Sequence, residues 1–211
     1  MTSQPYVVTL EGPCCAGKTT LGRRLLQELD GLKAAFAPCY ADYAGGRRFL
    51  PRQEARSVRE REQALLQLLD LEAGRLADLP SDSDAIIADR SVHTLLAHSY
   101  ALEQMTGIRL FAPSVRLLHE SLIPAWPDLV VYLDLPQDAV GERNHGKFPA
   151  GSIYTDPAFN TSVRAYFSRL AGQKTPHVMW LDATLDPAEL ARLTGLRVRQ
   201  MAGFHDIEGA V

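Results

Sequence analysis

The sequence predicts an α/β fold in which a five-stranded parallel sheet carries helices on both faces. Three observations lead there. Five short, largely apolar runs recur along 211 residues: Tyr6 to Leu10, Leu32 to Ala37, Ala85 to Ala88, Leu129 to Leu133 and His177 to Leu181. Such runs read as buried strands. Helical spacing fills the stretches between them, as parallel strands joined by right-handed crossovers require. The first strand also runs into Gly12-Pro13-Cys14-Cys15-Ala16-Gly17-Lys18-Thr19, a match to the G-x-x-x-x-G-K-[ST] phosphate-binding loop.

The loop sits in the context its chemistry needs. Thr20 to Leu29 carries Leu21, Leu25, Leu26 and Leu29 at helical spacing. Strand, glycine turn and helix follow one another, which argues against a chance match in an ordinary turn. Gly12 and Gly17 let the backbone fold back with its N–H groups inward, forming a concavity for anions. The new helix adds unpaired N–H groups and the positive end of its dipole. Lys18 is placed for the β- and γ-phosphates, and the Thr19 hydroxyl for Mg2+. Residues Gly12 to Thr20 are thus the expected nucleotide-phosphate contacts, and the fold class is a P-loop NTPase.

The remaining elements follow in order. Cys39 to Pro51, with Gly45-Gly46 and Arg47-Arg48, is too polar and glycine-rich for a core element and reads as an irregular substrate loop. Gln53 to about Leu79 is a long helical pattern, closed by Pro80-Ser81-Asp82-Ser83-Asp84. The third strand ends in Asp89-Arg90-Ser91, and a helix runs from Val92 to about Met105 before Gly107. Further helices are expected from Pro113 to about Ile123, Pro136 to about Arg143, Pro157 to Leu170 and Pro187 to about Met201. Asn144 to Asp156 is a loop with His145 and Lys147, read as a small lid. The tail, 202–211, reads as loosely ordered. Three informative stretches fall at carboxyl ends of strands, where open α/β sheets bind ligands.

Composition narrows the classes. With 46% hydrophobic residues, the chain suits one compact domain, 1–211, with the lid. A net charge of -3 points to no nucleic-acid polymer as partner. The apolar runs are too short to span a bilayer, and no signal peptide is expected. Three cysteines, two of them adjacent, suit a reduced, cytoplasmic setting. Cys14 and Cys15 read as small residues in a tight turn, with a redox role as the alternative.

The chain also resembles the thymidylate kinase and deoxynucleoside kinase group of P-loop phosphotransferases. The resemblance rests on Gly12 to Thr20, on Asp89-Arg90-Ser91-Val92-His93-Thr94-Leu95-Leu96-Ala97, on Pro127-Asp128-Leu129 to Pro136, on Glu142-Arg143 before the lid, and on Leu181-Asp182-Ala183. It implies ATP as donor and Mg2+ as cofactor. By that resemblance Asp89 helps to hold Mg2+, Arg90 contacts the acceptor-side or transferring phosphate, Arg143 closes over the phosphoryl group, and Asp182 and Ala183 lie beside the adenine. A homodimer is implied by the resemblance alone. Structural readings stand beside these: Asp89-Arg90 as a charge pair at a helix start, Arg143 as a solvated helix end. Arg52, Arg56 and Arg59 share a helix face by spacing, and a solvated face explains them as well as phosphate binding does. His93, His98 and His119 read as packing or surface residues.

The second strand departs from the family. Phe36-Ala37-Pro38-Cys39-Tyr40-Ala41-Asp42-Tyr43 holds neither the Arg-Glu-Pro-Gly-Gly run of thymidylate kinases nor the Glu-Pro of deoxynucleoside kinases, and Ala37 stands where the carboxylate belongs. A hydroxyl acceptor needs a base, whereas a monophosphate arrives ionised and needs cations. Asp42 is the candidate base. Arg47, Arg48 and Arg52 are candidate phosphate holders, and Tyr40, Tyr43 and Phe49 candidate stacking partners for an acceptor base. The favoured activity is phosphoryl transfer from ATP to a nucleoside monophosphate. The alternative is a kinase of a nucleoside or other small hydroxyl with Asp42 as base. A regulatory nucleotide-binding ATPase ranks last, since no Asn-Lys-x-Asp stretch is present.

Overall fold

The computed structural model describes residues 4–52, 54–121, 126–201 and 203. Five parallel strands form one sheet in the order β2-β3-β1-β4-β5: β1 (Tyr6–Glu11), β2 (Ala34–Ala37), β3 (Ala85–Asp89), β4 (Leu129–Asp134) and β5 (His177–Asp182). The five expected strands are all present. Between them lie α1 (Lys18–Glu28), α2 (Tyr40–Tyr43), α3 (Val58–Ala77), α4 (Val92–Thr106), α5 (Phe111–Glu120), α6 (Gln137–Glu142), α7 (Pro157–Ala171) and α8 (Pro187–Met201).

Side-chain alternation along the central strands splits the core into two layers. On β4, Val130 and Tyr132 join residues of α3, α4, α5 and α7. Leu129, Val131 and Leu133 join residues of α1, α6 and α8 on the other face. Both faces of the sheet are therefore covered, which explains why β1, β3 and β4 read as nearly continuous apolar runs.

Topology locates the cleft. The chain passes from β1 to β2, returns to β3 beside β1, then crosses to β4 on β1's other side. The order reverses around β1, so the crevice opens at its carboxyl end. Asp128 registers this centre. Its Oδ2 accepts from Val7 N at 2.8 Å, and its own N–H donates to Val7 O at 2.8 Å.

Several expected boundaries move. The second strand begins at Ala34, not Leu32. The long helix begins at Val58, capped by Ser57, whose Oγ accepts from Glu60 N at 3.2 Å. Gln53, its expected start, lies outside the described residues. Arg52 and Arg56 therefore precede the helix, and the common face expected of Arg52, Arg56 and Arg59 does not form. Cys39 to Pro51 is not irregular: it holds α2 and a 3-10 turn, Arg47–Phe49. The helix expected from Pro113 begins at Phe111, because a proline in the first turn has no N–H to lose there. Residues 122–125, including Ile123 and Pro124, lie outside the described residues, as do 202 and 204–211 of the expected loose tail. No helix among the described residues is long and apolar enough to cross a membrane.

The close approach of the glycine turn to β4 sets a test. Gly12 has φ 128°, and a Cβ there would collide with the carbonyl oxygen of Leu133. Gly12→Ala is expected to lower the unfolding free energy by about 2–4 kcal/mol, measured by urea titration. A loss below about 0.5 kcal/mol, the scale of a surface change, would show that the turn is not held against β4.

Candidate active site

The site grows from four loops at the carboxyl ends of the strands, which enclose a cavity of about 700 Å3. The P-loop supplies Cys14, Cys15, Gly17, Lys18, Thr19 and Thr20, the end of β3 supplies Asp89 and Arg90, and α4 supplies Thr94, Leu95 and His98. The opposite wall comes from two segments, with Tyr40, Asp42, Arg47 and Arg52 from one and Arg143, Phe148 and Tyr154 from the other.

The P-loop keeps the geometry of an anion cradle. Gly17, at φ 92°, leads into α1, and Cys15 sits at φ 63°. Lys18 is buried and donates through Nζ to the carbonyls of Gly12 at 3.1 Å and Pro13 at 2.6 Å. Burial, and then the nearby Arg90 charge, push its ammonium down to about 8. Cys14 packs inward, its Sγ donating to the Tyr154 carbonyl at 2.9 Å, and burial pushes its thiol up to about 11. That suits a packing residue in a tight turn rather than a reactive thiolate.

Across from Lys18, Thr19 Oγ1 donates to Asp89 Oδ2 at 2.5 Å. The other Asp89 oxygen, Oδ1, is buried without a hydrogen-bond partner among the described residues. A hydroxyl and a half-unpartnered carboxylate beside a phosphate cradle are the hard oxygen donors that Mg2+ prefers. Arg90 follows with φ 74°, a left-handed conformation that a non-glycine residue holds only when its surroundings impose it. Its N–H donates to Leu10 O at 3.0 Å, and its carbonyl accepts from Arg75 Nη2 at 2.5 Å.

Two buried networks hold this turn, and sequence reasoning missed both. Glu11 is fully enclosed. It accepts from Ser91 Oγ at 2.7 Å and from the Thr94 hydroxyl, while burial raises its pKa. Arg75 and Glu72 of α3 are both buried and pair at 2.7 Å. Arg75 also donates to the carbonyls of Pro38 at 2.7 Å and Asp89 at 3.0 Å. In sequence, Glu72 and Arg75 are an ordinary i,i+3 helix pair. The one signal available was Glu11, an acid closing an apolar strand immediately before the glycine turn.

The other candidate residues divide. Lys18, Thr19, Thr20, Asp89, Arg90, Arg143, Tyr40, Asp42, Arg47 and Arg52 all face the one cavity. Arg143 Nη1 donates to the Ala183 carbonyl at 3.0 Å, joining the α6 end to the turn after β5. Asp182 and Ala183 themselves lie off the cavity lining, and the Asp182 carboxylate caps its own turn through Thr184. Tyr43, Arg48 and Phe49 are not brought to the cavity. Tyr43 donates to Asp78 Oδ2 at 2.9 Å, and Arg48 lies 4.7 Å from the centroid of an outward-facing Phe49 ring. Tyr40 lines the cavity but is buried with its ring under Arg75, 4.3 Å away, which leaves it poorly placed to stack on a ligand. His93 is a buried packing residue and His119 stacks on Trp126. His98, read from the sequence as a packing or surface residue, is buried against Tyr154 and Phe159 and also lines the cavity. Burial and neighbouring cations hold it neutral.

Fold and site together define a P-loop protein with the architecture of thymidylate and deoxynucleoside kinases. The chain is related in sequence to a probable thymidylate kinase of Methanospirillum hungatei JF-1, 26% identical over 203 residues that span 92% of this chain and 93% of the relative. No family model matches it. Thymidylate kinase from Candida albicans superimposes with a TM-score of 0.67 over 95% of this chain and 94% of its own, at 16% identity. Deoxyadenosine kinase from M. mycoides, solved with bound dCTP, gives 0.62 over 92% and 99%, at 14% identity.

The Lys18 environment predicts a proton linkage. In the free protein its ammonium titrates near 8. A polyphosphate favours the charged form, so binding raises that pKa and takes up a proton where the pH lies between the free and the bound values. ATP affinity is expected to fall as pH rises through about 8, with proton uptake appearing in titration calorimetry across buffers of different ionisation enthalpy. Pure ATP binding with no proton exchange at pH 8.5 would contradict this placement of Lys18.

Proposed function

We propose that the protein transfers the terminal phosphoryl group of ATP to a nucleoside monophosphate, with Mg2+, and that thymidine monophosphate is the acceptor to test first. The observation that carries this reading is the shared cavity, lined by the P-loop and Arg90 on one side and by Arg47 and Arg52 on the other. The sequence relative named as a probable thymidylate kinase supports it. So does the acceptor wall: Ala37 ends β2 with no carboxylate, and Asp42 is exposed on α2, its side chain meeting the Cys39 thiol.

Phosphoryl transfer is mostly positioning and charge neutralisation. Lys18 leaves its own loop carbonyls for the β- and γ-phosphate oxygens, with the P-loop N–H groups around them. Arg90, aimed by its strained backbone, meets charge on the transferring group from the acceptor side. Arg47 and Arg52 hold the acceptor phosphate, and Arg143 borders the donor side at the Ala183 turn. Thr19 and Asp89 would hold Mg2+, which when bound neutralises charge on the donor phosphates. Residues 144–156 act as a lid that excludes water. We further read the chain as one kinase domain, cytoplasmic, and a homodimer.

A coupled assay over nucleosides and nucleoside monophosphates tests the assignment. Turnover of thymidine monophosphate above free nucleosides is expected. Lys18→Ala should reduce kcat by about 10²–10³-fold with thermal stability retained, and Asp42→Asn should leave monophosphate turnover within about threefold. Phosphorylation of nucleosides but of no monophosphate, lost in Asp42→Asn, would establish the hydroxyl-kinase alternative instead.

A further inference from the structure

Two loops 100 residues apart in the chain meet at the mouth of the cavity. The Arg47 guanidinium lies 3.7 Å from the centroid of the Phe148 ring, and its Nη1 donates to the Lys147 carbonyl at 2.7 Å. Arg47 is exposed yet lines the cavity, whereas Phe148 is buried. The remaining guanidinium N–H groups have no partner among the described residues. Holding a long exposed side chain in one place costs rotamer freedom that a lone surface contact does not offset. Here a ring face and a carbonyl fix both the position and the plane of one group.

The segment that Arg47 grips behaves as a unit. Asn144 closes its turn in both directions, its Nδ2 donating to Phe148 O at 2.9 Å and its Oδ1 accepting from Phe148 N at 2.8 Å. Farther along, the Tyr154 carbonyl accepts from Cys14 Sγ of the P-loop at 2.9 Å. A displacement of the Phe148 ring therefore carries the 144–148 turn with it, about a segment already tied to the donor cradle.

We propose that Arg47 is a positioning residue that couples acceptor binding to closure over the donor phosphates. Its π face rests on Phe148, while its free edge meets the acceptor phosphate. An arginine does both at once because stacking uses the face of the guanidinium and hydrogen bonding its rim. A lysine carries the charge but has no such face. Binding of the acceptor anion adds a third hold on the guanidinium, steadies the Phe148 ring against it, and keeps residues 144–156 over the P-loop. This rests on the kinase reading above.

The test compares the wild type with Arg47→Lys, Phe148→Leu and the double variant, using ATP, Mg2+ and thymidine monophosphate. Two quantities are read: kcat/KM for the acceptor, and the rate of tryptic cleavage after Lys147 with and without thymidine monophosphate. Arg47→Lys is expected to keep the ATP affinity and lose about tenfold in acceptor kcat/KM. Thymidine monophosphate should slow cleavage after Lys147 in the wild type and in neither single variant. The double variant should be no worse than the worse single one, since the two residues act through one contact. Acceptor protection persisting in Arg47→Lys, or strictly additive losses, would overturn the coupling while leaving the kinase assignment intact. A wild type with neither turnover nor protection would remove both. Should Phe148→Leu melt early, Arg47→Lys, at an exposed position, decides the matter alone.

Discussion

The site depends on one buried guanidinium. Arg75 has three guanidinium nitrogens, and each finds an acceptor: Glu72 for Nε, Pro38 and Asp89 for Nη1, and Arg90 for Nη2, which also lies 2.7 Å from the Glu72 carboxylate. Burying an ion pair is costly unless geometry and additional hydrogen bonds repay the lost hydration, and here no nitrogen is left unpartnered. The result is a mechanical tie. Pro38 follows β2 and Asp89 closes β3, so one side chain from α3 sets the distance between the wall proposed for the acceptor and the residues proposed to hold Mg2+ and phosphate. With the Tyr40 ring lying on the same guanidinium, α2 is fixed by it as well.

Glu11 makes the matching tie from β1. The strand that launches the P-loop ends in a carboxylate gripped by Ser91 and Thr94 of the β3–α4 turn. Between the Glu11 grip on one side and the Arg75 grip on the other, Arg90 is forced into its left-handed backbone conformation. Strain of that kind costs of order 1–3 kcal/mol and persists only where the surroundings over-determine it. Both networks converge on the residue that faces the cavity, which accounts for so much buried charge in so small a volume.

This explains what the sequence disclosed and what it did not. The P-loop was legible because its chemistry is local: spacing, strand and helix all lie within Tyr6 to Leu29. The five strands were legible because both sheet faces are covered, which makes each strand a continuous apolar run. Asp89 and Arg90 were legible as a polar step at a strand's end. The roles of Glu72 and Arg75 were not, because an i,i+3 charge pair looks the same on a solvated face as in a core; only the packing of α3 over the ends of β2 and β3 distinguishes them. Tyr43, Arg48 and Phe49 lie off the cavity for a related reason. Residue type marked them as ligand contacts, but the short helix and 3-10 turn rotate them outward, and neither element has a periodicity long enough to read.

The degree to which each cation is already satisfied by the protein sorts structural from ligand-binding charge. Arg75 has no nitrogen unpartnered and is sealed from the cavity, so it positions and does not bind. Arg61, equally buried, spends Nε on Ser99 and Nη2 on Leu95 O but leaves Nη1 unpartnered, and burial pushes it down to about 10, an intermediate case inside the α3–α4 packing. Among the described residues Lys18 donates to its own loop's carbonyls alone, contacts that an arriving phosphate replaces at small cost because the charge is conserved and the anion is a stronger acceptor. Arg47 keeps most of its rim free. Partial satisfaction by neutral carbonyls or a ring, rather than by carboxylates, is what leaves a cation ordered in the free protein and still available to a polyanion. A carboxylate partner would order it equally well and then compete with the substrate. Lys18, Arg47 and Arg143 follow that rule, whereas Arg52 meets the exposed Glu54 at 3.5 Å, a loose surface pair that solvent screens and a phosphate readily displaces.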